Sequence, residues 1–319
     1  MNLPGPAPVA LFAFNRPETT RSTLQALKNC DGLGDRSVYL FCDGPRTNRS
    51  DDELAVFQVR RVLHDWAAGQ RAQCLFSDSN CGLRASIVRG VGEILREHGR
   101  VIVLEDDLIV APGFLRFMQQ SLDAFEHTQR VWQVSGYMTP NRRRSLQPGF
   151  LRLPCCWGWA TWQDRWQNFH DNASELLAKV RELDTVRFNL GGTYDYLGDL
   201  QANAEGRLNT WHVRWYATMF LQQALAYYPG QSLTRNIGFD AAGTHCNSTR
   251  MASVYHRQVL GKCPPPPPVG IVIDESEDLL LEMQSFYRFQ QRLWSGVTWR
   301  QRLRAKIGGV WRRLRRCLP

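Results

Sequence analysis

Short apolar runs alternate with helical patterns along the first 135 residues of the chain. Runs rich in branched and aromatic residues are typical of buried strands. The pattern predicts strands at Pro8–Phe14, Ser37–Cys42, Gln73–Phe76, Val101–Leu104 and Val131–Val134. It predicts helices at Pro17–Leu27, Asp52–Trp66 and Arg84–His98, and one that begins near Pro112. Strands separated by helices of this length indicate βαβ units, and therefore an α/β fold with a mostly parallel sheet flanked by helices.

The chain after Gly136 is less regular and rich in tryptophan. The pattern there predicts a helix at Tyr216–Ala226, and the small residues of Leu233–His245 indicate a mobile loop. Pro264–Pro268 predicts a stiff spacer that ends the domain. We therefore expect one domain over residues 1–262, a proline-rich linker and helix over 263–287, and a tail over 288–319.

The composition is that of a folded globular protein. Of its 319 residues (36.6 kDa), 43% are hydrophobic and 22% charged, which excludes a wholly disordered chain. No apolar run reaches the roughly 18 residues of a membrane-spanning helix, and Met1–Pro6 lacks the pattern of a secretory signal. The nine cysteines have no metal-ligand spacing, so we expect free thiols in a reducing cytoplasm.

The positive net charge belongs to the tail. The chain carries a net charge of +9, but Arg288–Pro319 holds ten Lys and Arg and no acid, which leaves residues 1–287 near neutral. A nucleic-acid-binding protein carries its basic surface on the folded domain, so we expect no nucleic-acid partner. Apolar residues recur at helical spacing between Leu303 and Leu318 among arginines. This pattern predicts a basic amphipathic helix on an anionic membrane surface at the cytoplasmic face, or alternatively one docked on the protein itself.

Carboxylates follow two of the predicted strands. Asp43 follows the second strand, and Glu105, Asp106 and Asp107 follow the fourth. In open parallel sheets, ligands bind beyond these carboxyl ends. Three adjacent carboxylates repel one another unless a cation is present, and hard divalent ions bind carboxylates together with the phosphates of a substrate. The alternatives are acids that favour a helix N-terminus for the triplet and an ordinary turn residue for Asp43.

Several segments, in order, resemble GT-A glycosyltransferases, which use nucleotide sugars. They are FAFNRPETT (Phe12–Thr20), FCDGPR (Phe41–Arg46), NCGLRASI (Asn80–Ile87), VIVLEDDLIVAPGFLRF (Val101–Phe117), VSGY (Val134–Tyr137), CWGWATW (Cys156–Trp162) and NIGFDAAGTHC (Asn236–Cys246). The chain looks most like the N-acetylglucosaminyltransferases that extend mannose on N-glycans, and like a bacterial family that shares their motifs, over about residues 7–250. The resemblance implies a GT-A-type, Rossmann-like sheet, with a nucleotide-sugar half over about 1–135 and an acceptor-side half over 136–262.

The resemblance also implies roles for individual residues. Asp107 and His245 would hold Mn²⁺ or Mg²⁺ against the diphosphate. The nucleotide sugar would be bound by Phe14, Asn15, Arg16, Asp43, Arg84, Glu105, Asp106 and Thr244. For Arg84 an ordinary solvated helix arginine is the alternative, and for His245 a structural histidine.

Transfer with inversion requires a base beside the acceptor hydroxyl. His212 stands at or near the place where the resembled enzymes have an acid, and Asp195, Asp199 and Glu205 are the alternatives. Trp159 is predicted either to line the acceptor pocket or to pack in the core. The adjacent Cys155 and Cys156 are predicted to be buried thiols without a catalytic role.

These features together predict a metal-dependent hexosyl- or N-acetylhexosaminyltransferase. Its donor would be a nucleotide diphosphate sugar with UDP as the nucleotide, and its acceptor a carbohydrate or a lipid-linked molecule. Two alternatives stay open: a metal-dependent nucleotidyltransferase, and a catalytically degenerate, membrane-associated scaffold.

Overall fold

A computed structural model describes residues 5–34, 36–47, 49–140, 146–239, 249–267 and 270–294. The strands are β1 (Val9–Ala13), β2 (Val38–Cys42), β3 (Ala72–Phe76), β4 (Arg100–Glu105), β5 (Leu108–Val110), β6 (Val131–Ser135), β7 (Gly149–Leu151), β8 (Trp159–Trp162), β9 (Leu225–Tyr228) and β10 (Thr234–Asn236). The helices are α1 (Pro17–Lys28), α2 (Ser50–Ala67), α3 (Leu83–His98), α4 (Phe114–Phe125), α5 (Gln163–Trp166), α6 (Ala173–Arg181), α7 (Thr185–Phe188), α8 (Tyr196–Ala204), α9 (His212–Leu221), α10 (Thr249–His256) and α11 (Glu277–Trp294).

The central sheet of the described chain has eight strands in the order β3-β2-β1-β4-β8-β6-β9-β7. β1 pairs in parallel with β2 and β4, β2 with β3, and β6 with β9. β8 runs antiparallel to β4 and β6, and β7 runs antiparallel to β9. Because only β7 and β8 run in the reverse direction, the predicted mostly parallel α/β sheet is confirmed.

Helices cover both faces of this sheet, as the alternation of side chains along β1 requires. Val9 and Leu11 face the layer of α1, α2 and α4. Ala10 and Phe12 face the layer of α3, α6, α8, α9 and α11. Since β1 is buried on both faces, its sequence is a continuous apolar run rather than an alternating one.

The second half differs from its prediction at two places. The predicted helix Tyr216–Ala226 is α9, which ends at Leu221, followed by strand β9 from Leu225. Gln223 lies between them with a φ of 51°, a left-handed conformation that cannot continue a helix. The predicted loop Leu233–His245 begins with β10, which pairs with β5 in a two-stranded ribbon.

Helix α11 belongs to the packed domain. The amide of Ser276 donates to the carbonyl of Phe150 at 2.8 Å, and Leu279 and Met283 are buried in the core. The predicted boundary between residues 287 and 288 therefore falls inside a helix. The predicted basic helix between Arg300 and Pro319 lies outside the described residues. Of the helices described, none has both the length and the apolar composition needed to cross a bilayer.

Candidate active site

The acid triplet lies where the central strand β4 ends and the ribbon begins. Glu105 is the last residue of β4, and Asp106 and Asp107 form the turn into β5. The amide of Ile237, just after β10, donates to the carbonyl of Asp107 at 2.8 Å. The ribbon thus fixes the backbone of the triplet at the carboxyl end of β4.

Asp106 connects the triplet to the turn that follows β1. Its Oδ2 accepts hydrogen bonds from the amide of Phe14 at 3.2 Å and from Thr20 Oγ1 at 3.4 Å. Burial, with the negative charge of Asp107 beside it, raises the pKa of Asp106 to about 7. Asp106 therefore holds together the segments that follow two neighbouring parallel strands.

Asp107 is surrounded by groups from three segments. Arg16 Nη1 lies 3.5 Å from its Oδ2, and Asn236 Nδ2 donates to its Oδ1 at 3.4 Å. The backbone of Gly238 passes so close that a β-carbon on residue 238 would lie 2.0 Å from Oδ2. A β-carbon at this position would collide with the carboxylate, so any residue other than glycine requires the carboxylate to move.

Glu105 completes a crowded group of negative charges. Burial raises its pKa well above the ordinary value, and Asp107 and Asp106 raise it further. A cation would relieve this repulsion, since it favours the charged form of each carboxylate.

The carboxylates of the triplet suit a divalent ion that takes its remaining ligands from a substrate. Within the described ranges, no three or more His, Cys, Asp or Glu side chains are arranged to hold a metal ion by themselves. Mg²⁺ is commonly bound by one or two carboxylates together with substrate phosphates, and the triplet fits that arrangement. The predicted ligand His245, like the predicted phosphate-binding Thr244, lies outside the described residues.

Asp52 and Arg46 hold the turn after β1, although the sequence did not mark either of them as a site residue. Asn15 Nδ2 donates to Asp52 Oδ1 at 2.7 Å, and Arg46 donates to both Asp52 oxygens, from Nε at 2.5 Å and Nη2 at 2.8 Å. These hydrogen bonds lower the pKa of Asp52, which is 3% exposed. The Arg46 guanidinium also lies over the ring of Phe14, 5.3 Å from its centroid. The signal for Arg46 was its place in the FCDGPR segment.

Asp43 holds the loop that precedes α3. Its carboxylate accepts from the amides of Gly44, Cys81 and Gly82 at 2.8–2.9 Å and from Asn80 Nδ2 at 3.1 Å. These four donors occupy both oxygens, which agrees with the turn role that the sequence left open. A contact with uracil would have to replace one of them.

Arg84 is engaged by another acid. It forms an ion pair with Asp171, just before α6, and Asp171 also lies 3.5 Å from Nε of Arg214. The guanidinium of Arg84 is therefore bound to the second half of the chain. This ion pair occupies one terminal nitrogen of Arg84, so any contact with a diphosphate would compete with Asp171 for its charge.

The segment before β8 forms a wall beside the triplet. The antiparallel register of β4 and β8 ends with Val103 opposite Trp159, and the negative charge of Glu105 acts on Cys155 and Cys156, just before β8. The Trp157 ring packs edge-on against Tyr137 at 4.5 Å, Tyr255 at 5.1 Å and Phe239 at 5.4 Å. An aromatic cluster thus covers this side of the site.

The two adjacent cysteines lie in the same wall and are poor nucleophiles. Burial raises the pKa of Cys155 to about 12, and Glu105 adds to the effect. Burial also raises the pKa of Cys156 well above its ordinary value. Because the thiolate is the reactive form, this supports the predicted inert role.

Trp159 does not line an acceptor pocket. It is fully buried on β8, between β4 and β6, with its ring stacked on Trp211 at 5.1 Å and close to Trp166 at 5.4 Å. A side chain without exposed surface cannot stack on a bound sugar. The predicted acceptor contact is therefore wrong, and the alternative of core packing is confirmed.

The structure separates the candidate bases. Asp195 is exposed and accepts from the amide of Gly198 at 3.0 Å as the N-cap of α8, and Glu205 is paired with Arg207 on the surface. Asp199 is half-buried and accepts from Tyr194 Oη at 3.0 Å. His212 Nε2 lies 3.2 Å from the carbonyl of Pro154, next to Cys155.

His212 is neutral at pH 7. Burial lowers its pKa to about 4, and the Pro154 carbonyl opposes this only in part. With Nε2 donating to that carbonyl, Nδ1 is the ring atom that can accept a proton. Asp199 and His212 both stay candidates, because nothing in the geometry singles out one of them.

Comparisons with known proteins reveal only distant similarity. No known protein family profile matches the sequence. Similar solved structures include two crystal structures of S. aureus TarS residues 1–349. The one in complex with UDP-GlcNAc is 12% identical, covers 44% of this chain and has a TM-score of 0.29. The other is 11% identical, covers 70% of this chain and has a TM-score of 0.36.

This chain spans 36% and 60% of the lengths of those two structures. Similarity this low supports no conclusion about the chemistry of this chain.

Proposed function

We propose that the chain is a GT-A-type glycosyltransferase that moves a hexose or an N-acetylhexosamine from a UDP-sugar to a carbohydrate or lipid-linked acceptor, with inversion. One observation carries the proposal. The turn Phe14–Arg16 after β1 and the acid triplet after β4 meet at the carboxyl ends of two neighbouring strands, and the Phe14 amide is bonded to Asp106. From β1 the chain continues to β2 on one side, while β4 lies on the other. Such a switch point opens the crevice in which α/β sheets bind nucleotides.

The donor side follows from the groups around Asp107. Arg16 places a guanidinium beside Asp107, where it can pair with a diphosphate. Asp107 would hold Mn²⁺ or Mg²⁺, and the ion would neutralise charge that builds up on the departing diphosphate. The Arg46–Asp52 pair fixes the turn that would carry the nucleoside, and the ordered motifs of the resembled family support uracil as its base.

The acceptor would bind beyond the segment that precedes β8, which carries Cys155, Cys156 and Trp157. A base there would take the proton of the attacking hydroxyl as the new glycosidic bond forms. Asp199 and His212 are the candidates. The aromatic cluster around Trp157 would keep water away from that side and so would protect the activated donor against hydrolysis.

Calorimetric titration of UDP, with and without Mn²⁺, tests the donor site. We expect manganese-dependent binding to the wild type and its loss in Asp107→Asn. Asp65→Asn is the matched control, because Asp65 is an exposed acid on α2, remote from the triplet in the sequence, and it should bind like the wild type. Unchanged binding by Asp107→Asn would contradict the metal and diphosphate site.

A product assay separates the proposal from its main alternative. Incubation with UDP-sugars and an acceptor panel should release UDP. Release of pyrophosphate from a nucleoside triphosphate and a sugar phosphate would instead indicate a nucleotidyltransferase.

A further inference from the structure

A cavity of about 170 Å³ lies between α7, α9 and α11, apart from the acid triplet. Its walls include the apolar side chains of Leu153, Leu190, Phe220 and Leu280. Val186, on its rim, is 65% exposed, so the cavity opens to solvent. None of these residues belongs to the site described above.

Arg152 is the unusual polar residue of this cavity. Its Nε is buried without a hydrogen-bond partner, and its guanidinium has no ion pair with any described residue. The other cavity arginine, Arg187, is neutralised by Glu275. Arg152 lines the cavity, so an anion beside its guanidinium would form a charge-assisted hydrogen bond with it.

The size and charge of the cavity limit what the anion can be. An engineered apolar cavity of about 150 Å³ binds benzene, so a cavity of this volume accepts a body of about that size. Asp184 and Glu275 also line it and disfavour a doubly charged group such as a phosphate monoester. A single carboxylate matches the planar guanidinium, since it can accept two parallel hydrogen bonds.

We propose that this cavity binds a small organic carboxylate, with its apolar body against Leu153, Leu190 and Leu280 and its carboxylate on Arg152. The ligand would bridge α9 and α11, because Phe220 belongs to the first and Leu280 to the second. Binding would therefore stabilise α11 against local unfolding.

The first test uses 4-fluorobenzoate as the probe, with the full chain followed by fluorine NMR. We expect saturable binding to the wild type and a loss of affinity of about tenfold or more in Arg152→Gln, as for the removal of a charged hydrogen bond. Arg207→Gln is the matched control, because Arg207 pairs with Glu205 on the surface, and it should bind like the wild type. The neutral 4-fluorobenzyl alcohol should bind weakly, and equally in the wild type and in Arg152→Gln.

Two further measurements keep the test decisive if Arg152→Gln folds poorly. Leu280→Trp adds volume to the wall of the cavity while Arg152 itself is retained, and it should abolish binding. Hydrogen exchange of the wild type should slow across residues 277–294 when 4-fluorobenzoate is added. Absence of saturable binding to the wild type, equal affinity in Arg152→Gln, or unchanged exchange in α11 would each overturn the proposal.

Discussion

The backbone of Gly238 lies against the carboxylate of Asp107, and the guanidinium of Arg16 touches both. Arg16 Nη1 is 3.5 Å from Asp107 Oδ2 and 3.5 Å from the carbonyl of Gly238. This contact joins the segment after β10 to the segments after β1 and β4. A substitution at any of the three residues should therefore shift the positions of the other two.

Gly238→Ala tests this contact directly. The added β-carbon would lie 2.0 Å from Asp107 Oδ2 and 2.8 Å from Arg16 Nη1, so the carboxylate must move. We expect weaker UDP binding, measured by calorimetry, with the fold retained. Gly92→Ala in α3 is the control, because its β-carbon meets nothing closer than 4.0 Å, and helix propensity favours alanine by about 1 kcal/mol. Equal loss of binding in both variants would show that the effect is not local.

Asp52→Asn tests the anchor of the turn after β1. The variant keeps the shape of the side chain but loses the charged hydrogen bonds to Arg46. We expect its free energy of unfolding to fall by about 1–2 kcal/mol, a modest loss because Arg46 is partly exposed to water. The hydrogen bonds of Arg46 lower the pKa of Asp52 below its ordinary 3.8. This stabilisation is therefore complete above pH 3.8 and is lost as the pH falls toward the lowered pKa.

Urea unfolding at pH 7 and pH 3 measures both effects. The difference in unfolding free energy between wild type and Asp52→Asn should be larger at pH 7. A difference that does not change with pH would mean that Asp52 stabilises by packing alone.

His212→Gln tests the neutral histidine. Below pH 6.5 the unfolded chain binds a proton at this residue, whereas the folded chain does so only near its pKa of about 4. The contribution of neutral His212 to the free energy of unfolding is therefore complete above pH 6.5 and is lost as the pH falls toward 4. The loss is at most about 3 kcal/mol, at about 1.4 kcal/mol per pKa unit. The variant should lose less stability over this range in urea unfolding. Parallel curves for both proteins would contradict the lowered pKa.

Asp199→Asn tests the choice of base. If Asp199 takes the acceptor proton, the variant should keep UDP affinity and lose sugar transfer by about 100-fold or more. Asp195→Asn is the matched control, because asparagine caps a helix as well as aspartate does, and it should keep both. Full transfer by Asp199→Asn would leave His212 as the candidate.

The first half of the fold follows from its sequence because each element is marked by local signals. The β1 run is apolar throughout, and Pro17 at the first turn of α1 fixes where that helix begins. The same signals place Asp43 and the triplet at strand ends without any knowledge of tertiary contacts.

The parts that the sequence did not reveal depend on long-range contacts. The ribbon of β5 and β10 joins residues more than a hundred positions apart, through strands of three residues that show no period. Asp52 looks like an ordinary first-turn acid of α2 until Arg46 and Asn15 close over it. Trp159 is confined to the core only because β8 inserts between β4 and β6.

The docking of α11 on β7 has a consequence for the order of events during synthesis. The bridge between Phe150 and Glu275 joins two parts of the chain that leave the ribosome far apart in time. Domains form from the N-terminus as the chain emerges, so β1 to β4 can pair early, whereas β7 stays uncovered until residues 275–294 are free. During that interval the nascent chain presents the apolar edge of β7, where another unpaired strand could bind.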